Sequence, residues 1–348
     1  MPSELLRVDP DHPAAALIAQ AAQRLARGEV VAFPTETVYG LGAHGLDPEA
    51  VARIYEAKGR PAWNPLILHV PDVEGARALT RVWPDSAERL ASAFWPGPLT
   101  LVLPKHARVP DIVTAGLDAV GVRVPAHPVA LALLRALGAP IAAPSANRFT
   151  HVSPTTAQHV IASLGERVSC VVDGGSCHVG IESTVVDLTG EVPVMLRPGA
   201  ITRAQLAEVL GQPVAVVEHT VSSVTNVAAQ RSPGMADRHY APRADVWLFD
   251  PSQAGEIADA LAARRAHARF EGRGNLGTVT ALLLEMPLAL DDEDQLVRMP
   301  TDPSTYAQRL YAALHAADAR GASLVLIERP PASDHWNAVR DRLARAAR

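Results

Sequence analysis

Val-Val-Ala-Phe-Pro-Thr-Glu-Thr-Val-Tyr-Gly-Leu-Gly-Ala-His-Gly, residues 30–45, decides how the chain is read. A β-branched, apolar run stops at Pro34. Thr35, Glu36 and Thr37 follow, then three glycines, then Asp47-Pro48, a strong helix start. A buried strand that runs into a polar, glycine-rich turn before a helix is where α/β proteins place ligands. Gly40, Gly42 and Gly45 spell G-x-G-x-x-G, but a dinucleotide fingerprint needs them directly after the strand and an acid ~20 residues on. Here Pro34 to Tyr39 intervene, and the apolar run that opens at Pro65 ends without an acid. The glycines are read as residues that let the backbone turn at positive φ.

The chain has 348 residues, enough for about two domains of ~150 residues each. Its 48% hydrophobic content can fill real cores, and a net charge of −5 supplies no global basic field for a nucleic acid. Two cysteines, Cys170 and Cys177, make no disulfide framework and suit a reducing compartment. The first residues lack a cationic start with an apolar stretch, and no run of ~18 apolar residues occurs, so neither a signal peptide nor a membrane span is expected. The reading expects a cytoplasmic protein. Of 32 basic residues only Lys58 and Lys105 are lysine, which singles out Lys58-Gly59-Arg60-Pro61 as a place that wants a compact ammonium.

Periodicity predicts a helix over 13–27, strand 29–34, a helix from Asp47 to about Ala57, and strand 65–70. Helices follow near 73–80 and 85–94, with strands at 99–103 and 120–125. Residues 128–137 read as helix, 140–143 as strand, 153–164 as a capped helix, 168–172 and 183–188 as strands, and 206–210 as the end of a helix. Composition shifts near 218, and 219–244 is polar and irregular. A fresh pattern then begins: strand 245–249, helix 252–265, strand 278–284, helix 303–317, strand 323–327, helix 335–346. Alternating strands and helices imply a parallel sheet. The expected organisation is a large α/β domain over 10–217, a linker over 218–243, and a smaller Rossmann-like domain over 244–348. The basic last helix (Arg340, Arg342, Arg345, Arg348) reads as a solvated face.

No Walker A sequence, zinc spacing or Gly-x-Ser-x-Gly elbow is present. What remains is a set of cations and hydroxyls at strand ends: Thr35, Lys58, Arg60, His69, Arg123, Ser145, Asn147, Ser183, Thr184 and Arg197. Each also has a plainer reading. Arg123, in an apolar strand, needs an anionic partner, either a structural carboxylate or a bound one. Lys58 and Arg60 could serve the negative end of a helix dipole. Ser145 and Asn147 are turn formers, Glu182 could be a surface acid, and the cysteines small buried hydrophobes. Taken together, the inventory suits a polyanion and a small carboxylate: a nucleoside triphosphate with a carboxylated substrate.

Seven motifs in order resemble the YrdC-like family: Pro34 to Gly42; Lys58 to Pro61 with Asn64 to Leu66 and His69; Trp95 to Thr100; Val122 to Pro125; Pro144 to Asn147; Gly180 to Asp187; and Arg197 to Gly199. Ser232-Pro233-Gly234 and His239 to Pro242, with the second α/β domain, look like the family's longer two-domain form. The resemblance implies a twisted mixed-sheet α/β domain and synthesis of threonylcarbamoyl-AMP from L-threonine, bicarbonate or CO2, and ATP. The product would feed modification of tRNA next to the anticodon, by a downstream threonylcarbamoyl-transfer machinery. It further implies that Lys58 and Arg60 hold ATP phosphates with Asn64 nearby, and that Thr35, His69, Arg123, Ser183 and the Ala143 backbone hold threonine. Ser145, Asn147, Ser153 and Arg197 would line the nucleotide side, with Ala119 at a nucleotide hydroxyl. Tyr240, with His239, would close over the site. Mg2+ would ride on ATP, with no protein metal ligand. The chain departs from the family at Phe149-Thr150, where Ser-Gly is usual, at Ala119, where Thr is frequent, and at Ser176, where proline is common. An RNA-binding module and carbamoyl transfer to another acceptor are the competing readings.

Overall fold

The helix start at Asp47-Pro48 forms as the residues dictate: the Asp47 carboxylate accepts from the Glu49 and Ala50 N–H groups and Pro48 takes the first helical position. Gly59, in the left-handed region at φ +62°, ends the same helix. Lys58 therefore closes the last turn and Arg60 lies just beyond. The computed structural model describes residues 3–217, 239–270, 277–288 and 290–347. The Ser232-Pro233-Gly234 motif and most of the expected linker lie outside the described residues. The chain divides into two compact units, Met1–Phe149 with Ser153–Met235, and Thr150–Val152 with Ala236–Arg348.

In chain order the first unit runs β1 (Glu4–Arg7), α1 (Ala15–Ala26), β2 (Val31–Phe33), β3 (Gly40–His44), α2 (Pro48–Lys58), β4 (Ile67–His69), α3 (Val73–Arg77), α4 (Asp85–Phe94), β5 (Leu99–Pro104), α5 (Asp111–Thr114), β6 (Ala119–Arg123), α6 (Pro128–Leu137), β7 (Ile141–Ala142), α7 (Ala157–Leu164), β8 (Cys170–Asp173), β9 (Thr184–Asp187), β10 (Val194–Arg197), α8 (Arg203–Leu210) and β11 (Ala215–Val216). The strands form one mixed sheet in the order β1-β8-β2-β3-β7-β4-β6-β5-β9-β10-β11. Successive residues of a strand face opposite sides. Val31 and Phe33 thus join α1 and α6 in one core, while Val30 and Ala32 face the larger core on the other side.

One expectation is corrected here. Gly40 and Gly42 are not in a turn; they are in β3, antiparallel to β2, and none of the three glycines has positive φ. Close approach is the reason for glycine: a Cβ on Gly42 would stand 2.8 Å from both Ile141 Cγ2 and Phe33 Cε1, and one on Gly45 2.8 Å from the Pro140 carbonyl. The helix expected from 153 begins only at Ala157, capped by the Thr156 hydroxyl. β1 and β11 were not expected: the first is four residues long and the second two.

The second unit runs β12 (Asp245–Phe249), α9 (Ala254–Phe270), β13 (Val279–Leu283), β14 (Gln295–Arg298), α10 (Pro303–Ala319), β15 (Leu324–Glu328) and α11 (Asn337–Ala346). Its sheet is parallel throughout, in the order β12-β15-β13-β14. β14 was missed because it is a half-exposed edge strand. The last helix is not the solvated basic face expected of it: Arg342 and Arg345 are buried. Asp341 accepts from both, and the Arg342 guanidinium lies 5.0 Å from the Tyr240 ring centroid.

Thr150 and Tyr240 share this unit, and both have left-handed backbone, φ +68° and +61°. The Ala241 N–H donates to the Thr150 carbonyl at 3.0 Å. A β-branched residue in this region is strained by ~1–3 kcal/mol, which explains the glycine the resemblance expects at 150. Thr150→Gly should therefore stabilise the protein by about 1 kcal/mol, the relief exceeding glycine's entropic cost of ~0.5–1 kcal/mol. Urea unfolding checks this; a lower midpoint at unchanged slope would contradict it.

Candidate active site

Strand ends gather the predicted groups of the first unit. In the parallel pair β4–β6, His69 stands opposite Arg123, so a ring and a guanidinium meet at one sheet edge. Arg123 is 4% exposed. Its Nη2 donates to Glu36 Oε1 at 2.6 Å and to Thr37 Oγ1 at 3.0 Å, and its Nε to the Gly97 carbonyl at 3.3 Å. Of the two partners left open by the sequence, the structural carboxylate is present. Glu36 Oε2 also accepts from the Ala126 N–H at 3.1 Å, so this acid is a fixed prop. Among the described residues Nη1 of Arg123 makes no hydrogen bond.

Thr35 is held beside it. Its hydroxyl shares a 2.8 Å hydrogen bond with Thr37 Oγ1 and donates to the Val38 carbonyl at 2.7 Å. His69 is buried, edge-on to Phe33, and its Nδ1 has no partner. Burial first, and the Arg123 charge second, push its pKa down to about 3. It is a neutral imidazole with an open ring nitrogen. Ala143 follows β7, its N–H spent on the Ile67 carbonyl.

Lys58 and Arg60 form the second group. Lys58 is 2% exposed and donates through Nζ to the carbonyls of Ser145, at 2.6 Å, and Asn147. Among the described residues no carboxylate pairs with it directly. Burial, and then the neighbouring Arg60 charge, hold its pKa well below the ordinary lysine range, with Glu182 opposing. Arg60 donates to the Asn64 carbonyl, the Asn64 side-chain oxygen and the Pro65 carbonyl. The Asn64 amide nitrogen is buried without a partner. Phe149, one of the departures, serves as part of this seat: its N–H donates to the Lys58 carbonyl and its ring lies 6.0 Å from the Arg60 guanidinium.

The turn before β9 supplies the third group. Ser183 shares a 2.8 Å hydrogen bond with Thr100 and receives Arg197 from Nη2, at 3.1 Å, while Arg197 Nε takes the Ser183 carbonyl. Ser153 donates to Glu182 Oε1 at 2.6 Å. Glu182 is thus a buried acid among cations, not a surface acid. Sequence reasoning missed Glu36 and Glu182 as site members. The signal available was charge balance, because buried cations at strand ends need carboxylates beside them.

Two groups fall elsewhere. Ala119 opens β6, four residues and ~13 Å along the strand from Arg123. His239 and Tyr240 belong to the second unit. Their rings are 4.1 Å apart, and Tyr240 stacks on Tyr311 at 5.9 Å. Both cysteines are free and buried, and burial pushes the Cys170 thiol up to about 11.

Comparison with known proteins shows the family and the fold. Residues 23–199 match the family described as Telomere recombination, and residues 201–348 match the Threonylcarbamoyl-AMP synthase C-terminal domain. Threonylcarbamoyl-AMP synthase of Pyrococcus abyssi is 41% identical over 94% of this chain and 93% of its own length. The Bacillus subtilis enzyme of the same name is 41% identical over 95% and 92%. The crystal structure of P. abyssi Sua5 complexed with L-threonine superposes with a TM-score of 0.87 at 39% identity, covering 99% of this chain and 98% of that one. A mixed sheet carrying buried cations at its strand ends, joined to a parallel α/β unit and alike over nearly the full length to these enzymes, places the chain in the threonylcarbamoyl-AMP synthase family.

Proposed function

We propose that the first unit joins L-threonine, bicarbonate or CO2, and ATP into L-threonylcarbamoyladenylate and pyrophosphate. The observation that carries this reading is the pair Lys58–Arg60: two buried cations side by side, in a seat that a bound polyanion would stabilise. The P. abyssi complex with L-threonine supports threonine as the carboxylated partner.

In this reading the carboxylate of threonine lies on the open Nη1 of Arg123, while Glu36 fixes the guanidinium from behind. His69 and Ser183 flank the rest of the amino acid, with Thr35 and the Ala143 backbone. The threonine amine attacks the carbon of CO2, or of dehydrating bicarbonate, forming an N–C bond and releasing a proton. The resulting carbamate oxygen attacks the α-phosphorus of ATP, the bond to the β-phosphate oxygen breaks, and pyrophosphate leaves with that electron pair. Lys58 and Arg60, with Asn64, neutralise charge on the triphosphate as it moves to the leaving group. Ser145, Asn147, Ser153 and Arg197 hold the nucleotide side, and Ala119 its periphery. Mg2+ would enter on the triphosphate and neutralise part of its charge.

The product would feed tRNA modification next to the anticodon through a downstream transfer machinery in the cytoplasm, without stable tRNA binding by this chain. No helix among the described residues is long and apolar enough to cross a membrane.

Arg123→Lys keeps the charge that Glu36 requires and loses the fork. It should raise KM for threonine by about tenfold or more, since charge-assisted hydrogen bonds contribute ~1.5–3 kcal/mol. An unchanged KM would remove Arg123 from the threonine site. Lys58→Met should lower the rate of pyrophosphate release by ~100-fold or more, yet leave the protein no less stable, because a desolvated ammonium is lost. Normal turnover would overturn the phosphate role.

His69 yields a pH prediction. Its folded pKa lies below the unfolded value, so the unfolded chain binds the extra proton between pH 6.5 and about 3. The His69 contribution to stability is complete above pH 6.5 and declines as pH falls, by at most ~1.4 kcal/mol per pH unit. His69→Gln should flatten the stability profile in that window; an identical slope would show that the ring is not buried neutral.

A further inference from the structure

The parallel sheet of the second unit ends in a cleft of about 460 Å³ lined by residues of that unit alone. It opens where β12, β13 and β15 finish, the edge at which open α/β sheets bind ligands. Its base is Glu328, the last residue of β15, 5% exposed. Glu328 Oε2 accepts from three successive backbone N–H groups, Leu284 at 2.7 Å and Glu285 and Met286 at 3.3 Å. Those bonds lock the carboxylate. Its other oxygen makes no hydrogen bond among the described residues, and Glu328 lines the cleft. Trp336, packed edge-on against Tyr306 at 5.3 Å, and Pro330 also line the cleft.

We propose that this cleft binds a neutral ribonucleoside, its base against Trp336 and its vicinal hydroxyls on the open oxygen of Glu328. A carboxylate at the end of a central parallel strand is the acceptor such folds offer a ribose. A volume of this size suits a nucleoside better than a lone amino acid. Three features argue against a phosphate chain. Arg329 is taken by Asp250, Nε to Oδ1 at 3.1 Å. Arg340 donates to the Pro330 carbonyl. β12 is followed by Asp250-Pro251-Ser252-Gln253, with no glycine turn to cradle a diphosphate.

Calorimetric titration of the full chain with adenosine, 2′-deoxyadenosine, AMP and spermidine tests this. Adenosine should bind, and should bind equally to Lys58→Met, which separates this cleft from the catalytic unit. Ala332→Trp, at an exposed lip position, should abolish that binding, and Glu328→Gln should weaken it about tenfold. Deoxyadenosine should bind about tenfold more weakly than adenosine. The proposal fails if adenosine does not bind, if Ala332→Trp leaves its binding intact, or if the deoxy form binds equally. It fails likewise if AMP binds tenfold tighter than adenosine, or if spermidine binds in its place. Folding of Ala332→Trp and Glu328→Gln is checked by their pyrophosphate release, which this cleft should not alter, and folding of Lys58→Met by its urea unfolding midpoint.

Discussion

Buried positive charge is the constraint on which the first unit depends. Lys58, Arg60, Arg123 and Arg197 are each 7% exposed or less, and the acids packed among them are Glu36 and Glu182. Removing a cation from water costs several kcal/mol unless a partner replaces the hydration. The protein meets that cost partly with carbonyls: those of Ser145 and Asn147 on Lys58, of Asn64 and Pro65 on Arg60, and of Ser183 on Arg197. Carbonyl dipoles hold a cation in place without cancelling its charge. The remaining positive potential is available to a bound anion, and it is fixed before the ligand arrives.

The mixed sheet makes that arrangement possible. Because β4 and β6 are parallel, their ends bring His69 and Arg123 to one edge; because β5 and β9 are also parallel, Thr100 meets the turn that carries Ser183. The hairpin β2–β3 brings Glu36 and Thr37 across from Arg123. Gly40 and Gly42 let β7 and Phe33 come close enough to seat the 144–147 segment, whose carbonyls receive Lys58. A methyl group at Gly42 would press on Ile141 and Phe33.

The sequence exposed much of this because its site residues violate local rules. An arginine ending an apolar strand, a lysine kept in an arginine-rich chain, and hydroxyls clustered after Pro34 are each out of place in a simple core. The second unit's alternating pattern likewise predicted its parallel sheet. Other features were hidden for physical reasons. Glu36 and Glu182 look like ordinary acids until tertiary packing buries them. Gly40 and Gly42 were read as turn residues because a single sequence does not separate positive φ from close approach. Arg342 looked solvated because its partner surface, the Tyr240 ring, lies about a hundred residues away along the chain.

The central claim is that the buried cations serve an adenylation of carboxylated threonine. The most direct measurement incubates the purified chain with ATP, Mg2+, L-threonine and isotopically labelled bicarbonate, without tRNA, and follows products by mass spectrometry. The account predicts pyrophosphate and a threonylcarbamoyl adenylate carrying the label, formed only when all three substrates are present. Intact threonine and ATP binding with no labelled adenylate would contradict it.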